Sequence, residues 1–210
     1  MDDAPDLKFL ATPLEQLVRL FSELGKPGVI LGGVAAGVWG KARATGDVDG
    51  VILADYEDFP KLLELAAKLG LTSRKEHPIE FAKKAKIFLF THVPSGVNVD
   101  LAIGITPFER EAVERAKMVA WRGLSIPIMS PEDLIIAKAV ARRTIDLADI
   151  EWILKIQQNL DTKRIRYWVK QFAEVLEAPE VYDTIDDLLN KFVPNPKGVE
   201  GKTRRSAKKK

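Results

Sequence analysis

Three aspartates have the residue type and spacing to do chemistry together. Asp47 and Asp49 stand two residues apart at the entrance of the apolar run Val51-Ile52-Leu53. Residues i and i+2 of a strand share a face, about 6.6–7 Å apart along the chain. Taken alone, the pair also suits a solvated strand start. Asp100 differs, because it sits between Val99 and Leu101 in the middle of an alternating apolar run. A buried carboxylate must be neutralised by a shifted pKa or by a partner. Three carboxylates converging from neighbouring strands share that cost by ligating an oxygen-seeking divalent cation such as Mg²⁺, with Mn²⁺ as the substitute. Two such ions, about 3.5–4 Å apart, stabilise the attacking and leaving oxygens of a phosphoryl transfer. Asp100 would favour the ion nearer the nucleophile and could accept its proton.

Beside these acids lies a double glycine. Gly32-Gly33 follows Val29-Ile30-Leu31, and the short helix expected from Val34 points its N-terminus the same way. Backbone N–H groups at such a turn can approach a phosphate closely. The same glycines also suit a plain tight turn. A dinucleotide fingerprint is not present, because Gly32-Gly33-Val34-Ala35-Ala36-Gly37 lacks the G-x-G-x-x-G spacing. His77 and His92 are too far apart in the chain to suggest a metal pair.

The elements that must position these groups follow from periodicity. Thr12-Pro13-Leu14-Glu15 reads as a capping box opening a helix whose apolar stripe is Leu14, Leu17, Val18, Phe21 and Leu24. Asp58 to Leu69 reads as a second amphipathic helix. Ile87–Phe90 and Val97–Ile103 read as strands joined at Pro94-Ser95-Gly96, a hairpin or near neighbours. Pro107 to Met118 looks helical, and Leu124–Ile128 is a short strand or extended link. Ser130-Pro131-Glu132-Asp133 is a helix start with a serine N-cap and proline at the first position. Helices then follow over Pro131–Arg142, Asp146–Gln158, Asp161–Leu176 and Pro179–Leu189. The expected organisation is an α+β domain over 1–128, a helical domain over 129–193, and a basic, disordered tail over 194–210.

At this point the residues carry a resemblance. Gly32-Gly33, a gap, Asp47-Val48-Asp49 and a later strand bearing Asp100 resemble the nucleotidyltransferase superfamily with the DNA-polymerase-β-type fold. Pro131–Leu154, PEDLIIAKAVARRTIDLADIEWIL, and Thr106-Pro107-Phe108-Glu109-Arg110 are similar to its branch of abortive-infection toxins from toxin–antitoxin pairs. The resemblance implies a small mixed β-sheet nucleotidyltransferase core with flanking helices, followed by a C-terminal helical region. It implies that Asp47, Asp49 and Asp100 hold Mg²⁺, and that Gly32 and Gly33 cradle the triphosphate. Many relatives have serine at the second glycine, so a hydroxyl is missing here. Arg43 or Thr45 would meet phosphate or acceptor, and Lys138 matches a lysine that contacts the nucleotide phosphates. Asp146 and Asp149 match a closing acidic pair, although Ile145 stands where a lysine is common. Residue by residue, Lys138 also suits a solvated lysine, Asp146 a helix N-cap, Arg142 and Arg143 a helix C-terminus, and Trp39 either packing or a base pocket.

Composition sets the outer bounds. The chain has 210 residues, 46% hydrophobic and 30% charged, and no cysteine, which excludes disulfides, thiolate nucleophiles and cysteine-ligated metals. MDDAPDLKFL lacks a basic region followed by an apolar one, and no apolar run is long enough for a membrane span, so a cytoplasmic location is expected. The net charge of +2 hides a tail: residues 197–210 carry +6, which leaves residues 1–196 at −4. That tail suits RNA or simple solubility, and it lacks an interleaving aromatic. The expected activity moves a nucleoside monophosphate from an NTP to a hydroxyl on RNA such as tRNA, or on protein, with a cognate antitoxin as a further partner. The rival reading is a catalytically silent nucleotide- or RNA-binding module of the same fold.

Overall fold

A computed structural model describes residues 8–121 and 123–193. The basic segment 194–210, expected to be disordered, lies outside them. One mixed sheet of seven strands runs through the described residues, in the order β3-β4-β5-β2-β1-β7-β6. Its strands are β1 (Gly28–Leu31), β2 (Asp47–Ile52), β3 (Leu71–Ser73), β4 (Ile87–His92), β5 (Val97–Ile103), β6 (Lys117–Trp121) and β7 (Leu124–Ile128). β4 and β5 form the expected antiparallel hairpin, with Leu89 opposite Asp100. β2 pairs antiparallel with β1 on one side and parallel with β5 on the other. No helix among the described residues is long and apolar enough to cross a membrane.

Alternation sets the two faces of the sheet. In β5, Val97, Val99, Leu101 and Ile103 are buried, while Asp100 and Ala102 on the opposite face are partly open. Helices α1 (Ala11–Leu24) and α3 (Phe59–Lys68) cover the apolar face with Leu14, Leu17, Leu20, Phe59 and Leu62, all fully buried. Gly50 of β2 is part of that fit, because a Cβ there would come 3.0 Å from Leu17 Cδ2. The other face carries the short helix α2 (Gly32–Trp39) and, beyond it, α6 (Pro131–Ala141) and α7 (Thr144–Ile156). Between β5 and β6 lies α5 (Pro107–Glu114), and α8 (Thr162–Val175) and α9 (Pro179–Phe192) complete the helical half.

Several elements differ from the periodicity reading. The helix α1 starts at Ala11, with Leu10 as its N-cap and no side-chain cap, so the capping box at Thr12–Glu15 does not form. Fully buried Leu10 lies one turn before Leu14, and a 3₁₀ turn over Lys8–Leu10 runs straight into the helix. The expected helix over Pro107–Met118 stops at Glu114, and Lys117–Trp121 becomes an edge strand paired with β7. β3 and α4 (Pro78–Ala85) had no clear signal; α4 spans only eight residues and fully buries Ala82 alone, too short a window for periodicity to mark. The start at Ser130 forms as expected, its hydroxyl accepting from the Asp133 N–H. Arg164 ties three helices below it, donating 2.7 Å to Asp133 on α6 and 2.6 Å to Glu111 on α5.

Candidate active site

The chain order brings Asp49 and Asp100 together although 50 residues separate them. They are register partners across the parallel β2–β5 pair, and Asp49 also faces Leu31 at the end of β1. There the chain turns through Gly32, whose φ of +66° is left-handed and favours glycine. Space demands glycine as well, since a Cβ would stand 1.8 Å from Asp49 Oδ2. The turn therefore presses the start of α2 against the carboxylate. At Gly33 a Cβ would lie 2.4 Å from Thr45 Oγ1. The Thr45 hydroxyl thus occupies the place of a side chain at position 33, and it donates to Asp47 Oδ1 at 2.9 Å.

These groups line one cleft of about 520 Å³. Nine of the residues singled out from the sequence reach it, Gly32, Gly33, Arg43, Thr45, Asp47, Asp49, Asp100, Lys138 and Asp146, whereas Asp149 stands behind the lining. Burial, with the charges of Asp47 and Asp100 added, pushes the Asp49 carboxyl up to about 6. Burial raises Asp100 too, against the pull of the Arg74 guanidinium that pairs with it. No three carboxylate or imidazole groups among the described residues gather around one point. The donors nevertheless fit a hard divalent cation in chemical type. They are all carboxylates, two occupy paired strand positions, and their mutual repulsion at Asp49 is what a cation would relieve.

The wall opposite the sheet is a chain of ion pairs. Lys138 on α6 is only 4% exposed and lies 2.9 Å from Asp146 Oδ1 and 2.7 Å from Asp149 Oδ2, both on α7. Arg143 holds Asp146 through Nε at 2.7 Å and Nη2 at 3.1 Å. Arg43 holds Asp149 through Nε and Nη2, both at 2.9 Å. Burial alone would raise both aspartates. The bonds from Arg143 and Lys138 to Asp146, and from Arg43 and Lys138 to Asp149, outweigh it and keep both below the ordinary carboxylate value. Three cations against two anions leave this wall positive, facing the acidic sheet.

Some alternatives that the sequence leaves open fall away here. Lys138 is buried rather than solvated. Asp146 is not the N-cap of α7; Arg143 occupies that position, and Asp146 accepts its backbone N–H at 3.2 Å from three residues on. Arg142 does end α6, but its guanidinium pairs with Glu180. Trp39 packs away from the cleft lining, its Nε1 donating 2.7 Å to the Met129 carbonyl. His92 bonds Ser95 at 2.7 Å on the far side of the hairpin. Arg74 was missed, because nothing in its loop SRKEH marks it as a partner for Asp100.

A small mixed sheet with paired strand carboxylates beside a glycine turn defines the nucleotidyltransferase fold. Residues 12–187 match the family described as nucleotidyl transferase of unknown function (DUF2204), and the chain belongs to it. A nucleotidyltransferase-like antigenic protein from Paracoccidioides brasiliensis has a similar structure, with a TM-score of 0.56 and 16% identity over 90% of this chain and 98% of that one. The antibiotic-resistance factor ANT(2'')-Ia superposes with a TM-score of 0.54 and 16% identity, covering 82% of this chain and 96% of its own. A comparison with curated proteins gave no match.

Proposed function

We propose that this nucleotidyltransferase moves a nucleoside monophosphate from an NTP to an acceptor hydroxyl, with Asp47, Asp49 and Asp100 holding Mg²⁺. The observation that carries it is the side-by-side register of Asp49 and Asp100 against the turn at Gly32. When bound, the cation supplies charge neutralisation on the phosphates and acidifies the attacking hydroxyl. The acceptor oxygen forms a bond to the α-phosphorus, the bond to the bridging oxygen breaks, and pyrophosphate leaves. Asp100 takes the acceptor proton. The N–H groups at Gly32 and Gly33 bind phosphate oxygens, while the Thr45 hydroxyl, standing where a side chain at position 33 would be, orients Asp47 by donating to it. Lys138 and Arg143, fixed by their aspartates, stabilise negative charge without reorganising as the reaction proceeds.

RNA is the favoured acceptor and protein the other, and a growth-arresting toxin restrained by a cognate antitoxin is the biological reading. Incubating the protein with each α-labelled NTP, Mg²⁺ and a lysate tests the chemistry. Label in RNA or protein that vanishes with Asp49→Asn supports it. Equal labelling by that variant refutes the metal assignment. Growth arrest by the wild type but not by Asp49→Asn tests the toxin reading.

A further inference from the structure

Outside the cleft, lysines alternate along the helical half with two rings, the exposed Trp152 and the half-buried Phe192. Trp152 on α7 is 39% exposed, and Lys41 and Lys155 place their Nζ atoms 5.0 Å and 4.9 Å from its ring centre. Lys155 also lies 5.1 Å from the ring of Phe192, the last residue of α9, and Lys191 lies 4.7 Å from that same ring. The order Lys41, Trp152, Lys155, Phe192, Lys191 therefore makes one strip. Its upper end adjoins the cleft. Lys41 is two residues from Arg43, and Trp152 stands about 10 Å along α7 from the cleft-lining Ile145, at 1.5 Å rise per residue. The lower end of the strip is Lys191 and Phe192, in the last turn of α9. Among the described residues, Glu151 pairs with the strip, 3.2 Å from Lys155 in an exposed pair that a phosphate can replace at little cost.

We propose that this strip seats the single-stranded 3′ end of an RNA acceptor, leading it along α9 and α7 into the cleft. The proposal rests on the transfer chemistry above. Rings take the π-faces of successive bases whatever their sequence, and interleaved ammonium groups take the phosphates, the combination used for single strands. A duplex does not suit it, because paired bases have no free faces to offer.

Fluorescence anisotropy of the full chain with a short labelled single-stranded RNA tests this. Trp152→Ala should weaken binding by about 5- to 100-fold, the loss of one stacked base. Lys155→Ala and Lys41→Ala should each lower the slope of log affinity against log salt by about 0.7, one phosphate on a single strand. Tyr56→Ala is the control, since it removes another exposed, lysine-flanked ring, with Lys86 4.7 Å from its centre, outside the strip. Wild-type affinity in Trp152→Ala, equal losses in Trp152→Ala and Tyr56→Ala, or preference for duplex RNA or for single-stranded DNA would each overturn the proposal. So would label entering protein alone with no measurable RNA binding. Asp49→Asn separates the two readings: it should bind RNA as the wild type does while losing transfer. If it still transfers, the cleft assignment fails, and the strip is judged by Trp152→Ala alone.

Discussion

Asp49→Asn should abolish transfer and, with metal removed, make the protein more stable. The folded state holds this carboxyl near 6 against an ordinary 3.8, first through burial and then through Asp47 and Asp100. Because the folded value is the higher one, ionised Asp49 opposes folding. The cost is absent below about pH 4, grows as pH rises and is complete above about 6. A difference of about 2.2 pKa units corresponds to about 3 kcal/mol. Asparagine carries no charge and escapes that cost. At roughly 2.1 cal/mol/K of unfolding entropy per residue, a chain this size should gain about 7 °C in Tm. Thermal melts of both proteins in EDTA, from about pH 3.5 to 8, should show curves that converge at the acid end and separate towards neutrality. Adding Mg²⁺ should then stabilise the wild type and leave the variant unmoved. A difference that stays flat across the pH range would refute the reasoning, because burial and charge repulsion could not then be its source.

Other perturbations probe other contacts. Lys138→Met leaves Asp146 and Asp149 to the two arginines alone, and urea unfolding at pH 7 should show a loss of about 3 kcal/mol. That deficit should shrink in acid, since both aspartates have lowered values and their contribution is present above about pH 4 and lost as pH falls through them. Gly33→Ser places a side chain on the Thr45 hydroxyl and should cut the transfer rate, whereas Gly33→Ser with Thr45→Ala should restore much of it. If the double variant is no better than the single one, the shared position is wrong. Gly32→Ala combines a left-handed φ with a 1.8 Å approach to Asp49, so it should displace the carboxylate and show no Mg²⁺-dependent rise in Tm.

The parts legible in the sequence were those written in local spacing. Alternation marked β5 and the partly buried placement of Asp100, and the serine cap at Ser130 marked the start of α6. The register of Asp49 against Asp100 was not legible, because β2 and β5 are neighbours only after three other elements and a hairpin intervene. Lys138, Asp146 and Asp149 lie on two helices broken at Arg142, so no single helical period joins them. Lys117–Trp121 was misread because pairing with β7 at the sheet edge, not local propensity, decides its conformation. The alternation of lysine and aromatic along Trp152 and Phe192 comes from three separate segments, so no window of sequence displays it.

The long reach of the ion-pair wall has a consequence for the newly made chain. Hairpins β4–β5 and β6–β7 need only local closure, whereas Arg43 and Asp149 are 106 residues apart. Contacts of such separation come late, after closure entropy has been met elsewhere. During synthesis, at about 5–20 residues per second, the strand acids emerge seconds before the helix that faces them. A half-made chain therefore carries the strand aspartates and Arg43 without Lys138, Arg143 and the α7 aspartates that complete the cleft. The enzyme should switch on late and all at once, as α7 docks, and truncations ending before Asp149 should be inert even where the sheet has formed.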